Sequence, residues 1–226
     1  MIHLEPILPP ELEREIFEVA AGLDFHTTSS LLRVARRVRE WVEPFLYRVI
    51  VINDSAKAEA YHLTFLRKPH LLANNLQHLY LAGFACFSRW PEKDVHRLLE
   101  LCAPRLLSLA VFAPLQQKRL IRSFLHITQL RRWAGILEDF DLSGGGYSEE
   151  LILPAFHTVT HMDVFDYFTD ENEAVICAGL AALPCLTHLC LSGGFADRNS
   201  GSYPTHLDAV RASACSGFDE IPRRRF

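Results

Sequence analysis

Apolar positions along this chain fall into one short frame that returns six times. Leu46-x-x-Val49-x-Val51, Leu76-x-x-Leu79-x-Leu81, Leu106-x-x-Leu109-x-Val111, Val159-x-x-Met162-x-Val164 and Leu186-x-x-Leu189-x-Leu191 carry apolar residues at the first, fourth and sixth positions. A weaker copy starts at Leu130 and includes Trp133. The copies begin about 30, 30, 24, 29 and 27 residues apart. Alternation at the end of each copy is the period-two signature of a strand with one buried side. Strands are therefore predicted near 48–52, 77–81, 107–112, 131–134, 159–164 and 187–191. Helical spacing fills the gaps. Asn53, Asp54 and Ser55 can cap a helix running to about Lys68 and stopped by Pro69. Val95, Leu98, Leu99 and Cys102 line one side of a helix at 92–102. Further helices are expected near 115–126 and from Glu171 to Leu183.

A unit of this kind cannot bury its apolar side alone, so each must stack on its neighbours. Leucine-rich repeats are roughly 20–29 residues long, close to the period seen here. The expected fold class is α/β: an irregular leucine-rich-repeat solenoid over residues 46–191, with parallel strands in chain order and outer helices. Leu79, Leu81, Leu109, Val111, Val164, Leu189 and Leu191 are expected inside. Regular repeats place asparagine or cysteine three residues past the last leucine. Those places hold Phe84, Pro114 and Gly194, so no asparagine ladder forms and the loops are expected to be uneven. Residues 192–226 are rich in glycine and serine and end in Arg223-Arg224-Arg225-Phe226. They are expected to be a polar, poorly packed tail.

Residues 5–45 follow a different rule. Pro9 and Pro10 suit the start of a helix, where proline sacrifices no hydrogen bond. Glu11, Glu13 and Glu15 favour the positive end of its dipole. Leu12, Ile16, Phe17 and Val19 fall to one side, and Gly22 is a plausible stop. Thr27, Thr28 and Ser29 offer caps for a second helix with apolar Leu31, Leu32, Val34, Ala35, Val38, Trp41 and Val42, ended by Pro44. A small all-α unit of two or three helices is expected.

That unit resembles an F-box. The resemblance rests on Leu8-Pro9-Pro10-Glu11-Leu12 with Ile16-Phe17, on the stretch Leu31 to Val38, and on the closing Pro44-Phe45-Leu46-Tyr47. The whole chain resembles the F-box-like, leucine-rich-repeat proteins abundant in mushroom-forming fungi. Ala35 stands where that family commonly has cysteine, and Val38 where it usually has tryptophan; Trp41 follows one turn later. The resemblance implies a non-catalytic substrate-recognition subunit of a cullin–RING ubiquitin ligase. It implies contacts to a Skp-type adaptor from Leu8, Pro9, Leu12, Ile16, Leu32 and Val34, with the repeats presenting a protein substrate. The alternative reading is a stand-alone leucine-rich-repeat scaffold with no ligase link, which the valine at 38 favours.

Composition narrows the remaining classes. A formal net charge of −4 leaves no basic footprint for nucleic acid. The N-terminus lacks the pattern of a signal peptide, and no apolar run has the length of a membrane span. A soluble protein of the cytoplasm or nucleus is expected, without membrane or nucleic-acid partners. The six cysteines, at 86, 102, 177, 185, 190 and 215, form no C-x-x-C pair and are expected to be reduced, several of them buried. His157, His161 and Asp163 share one side of a strand and are read as polar strand residues rather than metal ligands. Gly144-Gly145-Gly146 lacks the Lys-Ser/Thr of a phosphate loop. Glu138, Asp139 and Asp141 read as a solvated acidic loop. His188, between Cys185 and Cys190, reads as a polar strand residue. Arg33, Arg36, Arg37 and Arg39 read as a solvated helix face. No catalytic residue, metal site or cofactor is expected.

Overall fold

A computed structural model describes residues 8–82, 89–112, 123, 126–137, 154–165 and 173–192. The chain divides between Val49 and Ile50 into two compact units. The expected helix at 115–126 lies almost wholly outside the described residues. So do the Glu138–Asp141 acidic stretch, the triple glycine, and the tail beyond Ser192.

The first unit is helical: α1 (Pro10–Ala21), α2 (Phe25–Leu31) and α3 (Arg36–Val42), then a 3₁₀ turn over Glu43–Tyr47. Pro9 is the N-cap of α1 and Pro10 its first residue, as the sequence predicts. Gly22 ends α1 with an ordinary right-handed φ of −71°, so the stop does not depend on glycine's freedom. The second predicted helix is instead two. Its cap is Asp24, whose carboxylate accepts from the Thr27 backbone N–H at 2.8 Å and the Thr27 hydroxyl at 2.6 Å. The Thr28 hydroxyl donates to Ala21 O at 2.7 Å, and Ser30 Oγ donates to His26 O at 2.9 Å. Such short hydroxyls compete with the helix ladder and favour early ends. Arg33 and Val34 then bond three residues back, and Ala35 turns extended to cap α3. Ala21, Val38 and Val42 form the buried centre, with Phe17, Leu31, Leu32, Trp41 and Phe45 packed on it.

The second unit alternates strands with helices. Its elements are β1 (Val49–Ile52), α4 (Ser55–Arg67), α5 (Pro69–Asn75), β2 (His78–Ala82), α6 (Glu92–Cys102), β3 (Ser108–Phe112), β4 (Arg132–Gly135), β5 (His161–Val164), α7 (Glu173–Ala181) and β6 (His188–Leu191). The six strands form one sheet in chain order, and β2 through β6 pair in parallel. Asp54 caps α4 by accepting from Lys57 N at 2.8 Å. Pro69 does stop α4, but it also begins α5 as its first residue, an element absent from the sequence reading. Helix α6 buries Val95, Leu98, Leu99 and Cys102, as its spacing requires.

The copies are equivalent in their backbone. From the second copy on, one carbonyl in each accepts the second and third N–H groups of the next: Gln77 O from Leu107 and Ser108, Leu107 O from Arg131 and Arg132, Arg131 O from Thr160 and His161, Thr160 O from Thr187 and His188. All four carbonyls belong to the second position of a copy. Leu109, Trp133, Met162 and Leu189 then share one cross-strand row, and Val111, Gly135, Val164 and Leu191 another.

Three expectations about the core change. In the first copy the buried side chains are Ile50 and Ile52, while Val49 and Val51 are exposed. The frame there starts at Tyr47, one residue later than read, and a shift of one residue exchanges the two sides of a strand. In the weak copy, Leu130, Trp133 and Gly135 are all buried. Trp133 fills the room its neighbour leaves, so the large–small pair replaces two medium residues at similar volume. In the last copy, Leu189 and Leu191 are 46% and 36% exposed rather than buried. Among the described residues β6 is the last strand of the sheet and is paired on one side only. Of the described cysteines only Cys102 is buried; Cys177, Cys185 and Cys190 are exposed.

Candidate functional site

Two surfaces carry side chains free to meet a partner. The first belongs to the helical unit. Leu12, Ile16 and Val19 recur at the spacing of one helix face and are exposed, as are Leu8 before α1 and Leu23 and Phe25 beyond it. The internal stripe of α1 runs instead through Phe17 and Ala21, about 150° around the helix at 3.6 residues per turn. The helix thus has two apolar stripes and uses one of them internally. Val34, at the break between α2 and α3, is 59% exposed. Pro9 is exposed and Leu32 is half-buried against the centre of the unit. Val38 is fully inside, and Trp41 packs beside it with its ring 6.4 Å from Phe17.

The arginine face of this unit is largely paired within itself. Arg37 bonds Glu13 at 2.6 Å, Arg36 bonds Glu40 at 3.2 Å, and Arg39 lies 4.0 Å from Glu43. Exposed pairs of this kind contribute little to stability, but they neutralise the local charge.

The second surface is the side of the sheet opposite the buried leucines. Its register places His78, Ser108, Arg132, His161 and His188 in one row, and Tyr80, Ala110, Ala134, Asp163 and Cys190 in the next. This side is not wholly open. Ala110, Ala134 and Phe165 are buried on it, with Tyr80, Phe112 and Ile136 packed against them. Phe112 meets Phe165 edge-on at 4.5 Å and Tyr80 at 5.4 Å. The available signal was the bulky residue directly after the sixth frame position: Phe112, Ile136 and Phe165. Ser108 is buried in the first row, and the aromatic layer leaves that row's far end accessible, with Arg132 and His188 exposed and His161 half-buried.

His161 and His188 stack face to face, centroids 4.2 Å apart and planes 2° from parallel. Partial desolvation, His188 and Arg132 together hold the His161 imidazole below its ordinary pKa. Asp163 is raised by burial, against hydrogen bonds from Ser192 and Cys190; Ser192 Oγ donates to it at 2.6 Å. His157 lies outside the row, exposed in a 3₁₀ turn. No group of three or more His, Cys, Asp or Glu among the described residues is arranged to hold a metal ion.

One buried trio has the composition of a nucleophilic triad. His96 lies 3.1 Å from Ser123 Oγ through Nδ1 and 3.3 Å from Glu92 Oε1 through Nε2. Ser123 is fully buried and His96 nearly so. A reacting oxygen needs to be reached by substrate, and Ser123 is fully buried; the trio ties α6 to residue 123. A similar tie joins His62 to Asp94 at 2.9 Å, beneath the stacked Trp90 ring. Sequence spacing gave no sign of either. Among the described residues no helix is long and apolar enough to cross a membrane.

No family model matches the chain, and neither a curated protein nor a solved structure matches it.

Proposed function

We propose that this chain is a non-catalytic adaptor of the F-box-like kind. In this reading the helical unit docks on the Skp-type subunit of a cullin–RING ubiquitin ligase, and the strand-and-helix unit is an irregular leucine-rich-repeat solenoid that presents a protein substrate. The observation carrying the first half is the second apolar stripe of α1. Leu8, Leu12 and Ile16 are exposed, are not needed by the unit's own centre, and stand at positions where the F-box resemblance expects adaptor contacts. Pro9, Leu32 and Val34 complete the set. Support for the second half is the parallel, chain-ordered sheet with its equivalent carbonyls.

A stand-alone scaffold is the second reading. Val38 favours it, because the residue where the family usually has tryptophan is sealed inside the unit.

The variant Leu12→Asp/Ile16→Asp separates the two. Burying a carboxylate in an apolar interface costs several kcal/mol, which is about a 10³-fold loss of affinity. The expected result in a binding titration against a Skp-type adaptor is tight binding by the wild type and none by the double variant, with unchanged circular dichroism. No binding by the wild type moves the conclusion to the scaffold.

A further inference from the structure

The geometry points to a binding row for an acidic peptide: Arg132, His161 and His188, aligned on three adjacent strands, hold the anionic side chains of an extended segment laid across the sheet, and do so in the acid range. The inference does not depend on the adaptor reading.

The row is fixed by register, since Arg132 pairs with His161 and His161 with His188. Neighbouring strands lie about 4.8 Å apart, so the three side chains span about 10 Å. An extended peptide advances about 3.3 Å per residue, so two side chains at i and i+2, about 6.6 Å apart on one side, fit within that span.

The histidine protons are committed by the threonines beside them. Thr160 Oγ1 donates its proton to Arg131 O at 3.1 Å, and Thr187 Oγ1 donates to Thr160 O at 2.9 Å. Each hydroxyl oxygen also lies 2.9 Å from Nδ1 of the next residue, His161 or His188. Where the hydroxyl gives its proton to the carbonyl it accepts from the ring, the arrangement in which both rings carry hydrogen on Nδ1. In the neutral rings Nε2 is then a bare lone pair, which repels an anion. Protonation turns both Nε2 atoms into donors and adds charge beside the fixed guanidinium of Arg132.

The surroundings allow this. Among the described residues the titratable groups near the pair are Arg132 on β4 and Asp163 and Cys190 one row along; Ser108 and His78 continue the row on β3 and β2. Asp163 is held aside by Ser192. Without a ligand, partial desolvation first, and then the nearby His188 and Arg132, oppose protonation of His161. A bound anion offsets the charge crowding and raises the His161 pKa. By linkage, the added affinity is fully present below the free pKa and is lost as pH rises through the bound one.

The test is a fluorescence anisotropy titration of the full chain with three labelled hexapeptides, carrying alternate glutamates, alternate phosphoserines or alternate lysines. The expected result is binding of one or both acidic peptides, tightening about tenfold from pH 7.5 to 5.5, and none of the lysine peptide. The better acidic peptide identifies the anion. Arg132→Ala should weaken binding at both pH values, and His161→Gln/His188→Gln should flatten the pH dependence. Histidine ring resonances of the wild type, followed by NMR, should titrate at higher pH with peptide present, a readout that needs no variant. Absence of acidic-peptide binding at pH 5.5, pH dependence surviving in the double variant, or histidine resonances unmoved by peptide overturns the proposal.

Discussion

A methyl group added to Gly135 would meet the Trp133 ring and the Val111 carbonyl oxygen, each at 2.9 Å. The carbonyl is backbone in a neighbouring strand and the ring is buried, so neither gives way cheaply. Gly135→Ala is expected to lose about 1–3 kcal/mol in urea unfolding, the usual cost of overpacking. Asp163 poses the opposite case. Its folded-state pKa lies above the ordinary 3.8, so the folded chain prefers the neutral acid. That preference stabilises fully below the ordinary value and is lost as pH rises through the folded value. At neutral pH the charge is a burden. Asp163→Asn should therefore raise the Tm at pH 7, and the gain should vanish below about pH 3.8, as thermal melts across that range would show. A lower Tm at pH 7 would mean that the Ser192 bond outweighs the burial.

Elements inherit their stability from position in the sheet. Leu109 on β3 is fully buried between two neighbouring strands, and Leu189 on β6 occupies the same row at its open end. Leu109→Ala should cost about 2–5 kcal/mol, the range for deleting a buried leucine side chain. Leu189→Ala should cost under about 1 kcal/mol, since little apolar area is withdrawn from water there. Equal losses in denaturant unfolding would show that β6 is covered. The caps act at the same scale. Backbone N–H bonds and the nearby lysine hold Asp54 below the ordinary carboxylate value. Its support for α4 is present above that value and lost as pH falls through the folded one.

For the whole molecule, a chain-ordered parallel sheet makes stability a nearest-neighbour property. Strands with partners on both sides and two covered faces should open least often. Strand β3 meets that condition, because four of its five residues are buried. Strand β6 does not, because all four are exposed. Amide hydrogen exchange followed by mass spectrometry should rank β3 and β4 as most protected and β6 as least. Fast exchange through β3 would contradict a core centred on the middle strands.

The sequence by itself determined the strands, their order and most of their buried rows. Repeated apolar side chains at fixed intervals have one economical solution, which is to stack, and stacking in chain order follows from short connections. It also determined α1 and α6, because a proline start and a one-sided apolar stripe are local facts. Tertiary structure decided the rest. In the first copy Val49, Ile50, Val51 and Ile52 are all apolar, so periodicity could not choose between two frames, and only packing selected Ile50 and Ile52. The Trp133–Gly135 exchange is visible only where two side chains share one volume. The histidine row, the Glu92–His96–Ser123 tie and the aromatic layer join residues from different copies, at separations no local window spans. The openness of Leu189 and Leu191 has the same origin: burial belongs to the neighbours a residue meets, and among the described residues the last strand has one on a single side.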